Sequence, residues 1–91
     1  MSRYARPRPR RLAKKLSRIR KALGITQAEL VERLGFKGIY QGHISEYERG
    51  RREPPYPVLL KYAKLGKVST DVLIDDDLEL DRTAKIGRQK H

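Results

Sequence analysis

The sequence predicts an all-α domain of five helices with charged, non-helical ends. Three observations carry this. Apolar residues recur at intervals of three and four in several separate stretches, the spacing of one helix face. Glycines and prolines fall between those stretches, where helices stop. No apolar–polar alternation runs long enough for a strand, and no internal repeat is visible. At 91 residues a single domain is expected, with a core that is small but feasible without staples.

Taken in order, residues 1–11 (MSRYARPRPRR) carry five arginines and two prolines and bury nothing. They read as a flexible basic arm, either a solubilising tail or a device that tracks phosphates or enters a minor groove. Residues 12–23 place Leu12, Leu16, Ile19 and Leu23 on one stripe, and Gly24 stops the helix. Lys14, Lys15, Arg18 and Lys21 are assigned to the other faces, and Arg20 lies beside the stripe. Thr26 followed by Glu29 is a capping box that opens the second helix, with Ala28, Leu30, Val31 and Leu34 as its apolar side and Gly35 as its end. Gln27 stands at its first position, where side chain and helix N-terminus can both meet a phosphate.

The connector FKGIY follows, then QGHISEYERG. Only Ile44 and Tyr47 form an apolar side there, so most of this third helix faces out, and Gly50 closes it. RREPPYP reads as a rigid turn that a helix does not cross. Residues 58–66 return to helical spacing through Leu59, Leu60, Tyr62 and Ala63, and Ser69 caps a short last helix with Val72, Leu73 and Ile74. Residues 75–81 are acidic and 82–91 basic. The organisation is therefore an arm at 1–11, a domain at 12–76 and a charged flexible tail at 77–91.

A net charge of +11 and a pI near 10.4 favour a polyanionic partner, nucleic acid before an anionic membrane. A membrane-surface helix at 12–23 is disfavoured by the lack of bulky aromatic residues on its apolar face. Apolar runs such as Val58-Leu59-Leu60 are too short to span a bilayer, and no apolar run follows the basic N-terminus as a secretory signal requires. A cytoplasmic protein is the expectation. There are no cysteines, and His43 and His91 cannot form a metal site alone. No Gly-rich phosphate loop or HExxH motif is present, and Asp75-Asp76-Asp77 lacks the spacing of a calcium loop. No enzyme activity, cofactor or metal is expected.

The pieces LSRIRKALGITQAELVERLG, ISEYERG, PP and LLKYAKLGKVSTDVLI stand in an order that resembles the Cro/C1 repressor family of helix-turn-helix domains, also called the XRE family, over residues 12–74. The resemblance implies a five-helix repressor-like fold whose third helix lies in the DNA major groove. It implies that Gln27 meets the sugar-phosphate backbone and that Arg20 and Glu48 form a structural salt bridge. Gln41, Gly42, His43 and Glu46 match base-facing positions, and Arg49 and Arg51 match positions near phosphates. Lys37, Tyr40, Ser45 and Arg52 complete the candidate DNA-binding set. Gln41 can read adenine bidentately, His43 can donate to guanine or phosphate, and Glu46 can accept from cytosine N4. The connector is roughly three residues longer than the family's usual turn. Either Phe36 or Ile39 plugs it, and the third helix begins after Tyr40 or from an earlier cap such as Gly38.

The implied function is a sequence-specific transcriptional regulator of double-stranded DNA, bound as a homodimer through the 57–66 helix or the last short helix. Two other readings compete: an antitoxin-like or other protein-interaction module whose tail holds a protein partner, and a non-specific nucleic-acid binder.

Overall fold

In the computed structural model the described residues are 9–80; residues 1–8 of the expected arm and 81–91 of the expected tail lie outside them. The stripe of the first helix becomes α1, Leu12–Leu23, which buries Leu12, Leu16 and Ile19. Gly24 ends it at φ 73°, a left-handed conformation that costs glycine little. The capping box opens α2, Gln27–Leu34: Thr26 Oγ1 accepts from Glu29 N–H at 3.0 Å, and Glu29 Oε1 accepts from Thr26 N–H at 2.8 Å. α3 spans Gln41–Glu48, α4 Tyr56–Gly66 and α5 Thr70–Ile74.

α1 is the central element. It packs on α3, α4 and α5, while α2 packs on α3 and α4. A Cβ at Gly66 would stand 3.0–3.1 Å from three Ile19 side-chain atoms, so a glycine there lets α4 cross α1 closely. The core joins Leu12, Leu16 and Ile19 to Leu30, Leu34, Ile44, Tyr47, Val58, Leu59, Tyr62, Ala63 and Leu73. Both Phe36 and Ile39 pack against it from the α2–α3 connector, so the longer turn uses two apolar plugs. No helix among the described residues is long and apolar enough to cross a membrane.

Five expectations from sequence are corrected. Lys15 is buried at 4 % exposure, not a surface cation: its ammonium donates to the carbonyls of Val72 (2.7 Å), Asp75 (3.0 Å) and Leu78 (2.7 Å). Three acceptors offset the desolvation of one charge, and burial holds its pKa below the ordinary lysine value. Packing also continues past residue 76, because Leu80 lies in the core at 2 % exposure. α4 begins at Tyr56, one residue before the expected 57–66 helix, with Pro57 in its first turn, where the missing N–H has no intrahelical partner to lose. Ala28 and Leu60, placed on apolar faces by spacing, are exposed.

Candidate nucleic-acid interface

Whether α3 can meet a partner depends on what holds it. Its buried side is Ile44 and Tyr47. Its C-terminal end is fixed by Glu48, which accepts from Arg20 Nε at 2.7 Å and Nη2 at 3.0 Å. These side chains are 9 % and 15 % exposed, and Arg20 Nη1 also donates to the Ile25 carbonyl at 2.9 Å. The hydrogen bonds that Arg20 donates to Glu48 raise its pKa further above its ordinary value. Gln27 Nε2 donates to Glu48 Oε1 at 3.1 Å. Three helices therefore meet at one carboxylate: α1 through Arg20, α2 through Gln27 and α3 through Glu48. Tyr62 lies close by. Its buried hydroxyl has no hydrogen-bond partner among the described residues, and burial pushes its pKa well up, with the Glu48 charge adding to the rise.

The N-terminal end of α3 is held differently. Tyr40 precedes the helix in extended conformation and its N–H donates to His43 Nδ1 at 3.0 Å. A neutral His43 then carries its proton on Nε2. The His43 ring stacks on Tyr40 at a centroid distance of 5.8 Å and lies 6.5 Å from the Tyr47 ring. His43 is therefore a capping residue as well as a member of the outward face, a role that its position in the sequence did not suggest.

Gln41 and Gly42 are exposed at the start of α3, and a Cβ on Gly42 would meet nothing within 4 Å. Gly42 is thus open to close approach from outside. Ser45 and Glu46 are half-buried, while Arg49, Arg51 and Arg52 are exposed, as are Lys37 and Tyr40 before the helix. Gly50, at φ 76°, turns the chain back so that Arg52 Nε reaches Glu46 Oε1 at 2.6 Å. The hydrogen bond from Arg52 holds the Glu46 carboxyl below its ordinary range. Among the described residues only Nε of Arg52 is used there, which leaves its two Nη groups for a planar or phosphate acceptor. This pairing was not visible in the sequence, because the two residues sit on opposite sides of the helix stop.

The arrangement brings most of the candidate set together. Gln41, Gly42, His43 and Glu46 share α3, and Lys37, Tyr40, Arg49, Arg51 and Arg52 flank its two ends. Gln27 is not a free side chain on this surface, since its amide is engaged by Glu48. Its position still leaves the N-terminus of α2 beside α3, where backbone N–H groups favour an anion. The result is a polar helix face with exposed cations at its C-terminal end.

A family model described as helix-turn-helix matches residues 16–73. The chain is 41% identical over 66 residues to an HTH-type transcriptional regulator, ImmR, of Bacillus subtilis (strain 168), an alignment that covers 72% of this chain and 50% of that protein. The chain thus spans about half the length of the curated relative it matches. No solved structure matches it significantly.

Proposed function

Because this chain belongs to the helix-turn-helix family, of the Cro/C1 type, we propose that it is a transcriptional regulator that binds duplex DNA sequence-specifically with α3 in the major groove. The observation that carries this reading is the α3 face itself. Gln41 and Gly42 are presented on a helix locked to α1 and α2 through one carboxylate, so base-facing groups are held before DNA arrives. Gln41 then reads adenine N6 and N7, His43 donates through Nε2, and Arg49, Arg51 and Lys37 meet phosphates. The name of the Bacillus relative points the same way.

The protein acts in the cytoplasm as a homodimer on a two-fold-related site. The exposed apolar surface of Pro57, Leu60 and Ile74 on α4 and α5 lies away from α3 in sequence and supplies a contact between copies. Selection of bound sites from random duplex DNA tests both parts together. The expected result is an enriched site of two related halves, about 10 bp or a multiple apart between centres. Recovery of unenriched DNA would overturn sequence-specific binding, and enrichment of a lone half-site would overturn the dimer.

A further inference from the structure

The acidic segment after α5 makes contact with the start of the chain's helical part. Asp76 Oδ2 accepts from the Arg10 N–H at 2.9 Å and Oδ1 from the Arg11 N–H at 3.0 Å. Arg11 Nη1 donates to the Asp76 carbonyl at 3.2 Å and to Glu79 at 3.1 Å. α1 has no side-chain cap of its own, so Asp76 meets N–H groups at its N-terminal end from 65 and 66 positions away. The segment that supplies this cap is itself fixed, by Leu80 in the core and by the Lys15 ammonium on its Asp75 and Leu78 carbonyls.

The place where Arg10 is held matters. Pro9, Arg10 and Ala13 line one groove with Tyr47, Gly50, Arg52 and Glu53, the end of α3 and the loop beyond it. Two arginines against one glutamate leave that lining net positive. On the DNA-binding reading above, on which this step rests, we propose that Asp76 is a positioning residue for DNA binding: it fixes the Arg10 backbone so that the Arg10 guanidinium stands beside Arg52 as a further phosphate contact at the C-terminal end of α3. Without the clasp the Arg10 backbone is free, ordering it costs more than one phosphate contact returns, and the contact is lost from the complex.

The sign of the effect separates this from plain electrostatics. Asp76→Ala removes one negative charge from a chain of net charge +11, which by charge alone tightens DNA binding. Positioning makes it weaker. The control is Asp77→Ala, the same charge change at an exposed carboxylate with no hydrogen bond among the described residues. Binding of the whole chain to a random-sequence duplex is followed by fluorescence anisotropy over a salt series. Asp76→Ala is expected to weaken binding about three- to tenfold at low salt and to flatten log K against log salt by about one unit, the mark of one lost phosphate contact. Arg10→Ala is expected to give the same loss of slope, and adding Asp76→Ala to it changes nothing more. Binding by Asp76→Ala equal to that of Asp77→Ala would overturn the assignment. So would weaker binding at unchanged slope, which marks a destabilised fold, or slope losses that add in the double variant. Failure of the unmodified chain to bind any duplex is a separate result, and it removes the DNA reading together with this one.

Discussion

Glu48 is the carboxylate on which α1, α2 and α3 converge, so its removal tests the packing of α3 most directly. Glu48→Ala deletes the acceptor of Arg20 Nε, Arg20 Nη2 and Gln27 Nε2 at once. Arg20 is left with the Ile25 carbonyl alone. Stranding one partner of a fully buried pair costs about 3–5 kcal/mol. At 15 % and 9 % exposure this pair is close to that limit but keeps some water, which brings the expectation to about 2–4 kcal/mol. A domain of this size has a total stability of roughly 4–10 kcal/mol, so the loss is a large share of it. At about 4–8 °C per kcal/mol the melting temperature falls by about 8–30 °C. Urea and thermal melts followed by circular dichroism measure this.

The double variant decides whether the pair itself is responsible. With Arg20→Met and Glu48→Met together, neither charge is stranded. The double variant is therefore expected to be no less stable than the worse single one, a coupling of about 1–3 kcal/mol. Single variants within about 0.5 kcal/mol of the parent, or losses that simply add, would refute the reasoning.

Four further outcomes are expected. Lys15→Met leaves the Val72, Asp75 and Leu78 carbonyls without their donor and lowers stability by about 1–3 kcal/mol in urea titration, whereas a surface lysine changed the same way costs next to nothing. His43→Ala removes the acceptor of the Tyr40 N–H and costs about 0.5–2 kcal/mol, with faster amide exchange at Tyr40 as the local sign. Asp76 has its carboxyl held below the ordinary value of 3.8 by the N–H groups of Arg10 and Arg11. Its contribution is therefore fully present above that value and is lost as pH falls through the lower, folded one; amide protection at Arg10 and Arg11 should disappear in that acid range, and at every pH in Asp76→Ala. Gln41→Ala is expected to cost about 1–3 kcal/mol at a selected DNA site while leaving binding to random duplex unchanged.

The fold was legible where its signals are local. Thr26 and Glu29 are three residues apart, and their reciprocal hydrogen bonds need nothing from the rest of the chain. Gly24 and Gly35 stop their helices at φ 73° and 75°, a region that glycine enters at little cost. α1 fills its expected span because one stripe of four residues accounts for it. Pro57 suits the start of α4 because proline excludes only the helix interior and is tolerated in a first turn. Ala28 and Leu60 show the limit of periodicity, which ranks positions on a wheel without saying how wide the covering neighbour is.

What was not legible depends on partners far away in sequence. Lys15 reads as one more cation on a basic helix until three carbonyls 57 to 63 residues on are folded against it. Arg20 and Glu48 could be paired before folding only through family resemblance, since their separation of 28 residues follows no helical rule. Asp76 reads as part of a solvated acidic run, yet its neighbours in space are the N–H groups of Arg10 and Arg11. These cases share a cause. A charge on a small domain is inexpensive to leave in water, so sequence favours exposure by default, and only tertiary structure reveals the acceptors that make another place better. In this chain those acceptors and donors join the two ends of the folded part to α1, and α1 to α3. Charged residues that composition assigns to a generic basic surface therefore help determine where α3 stands.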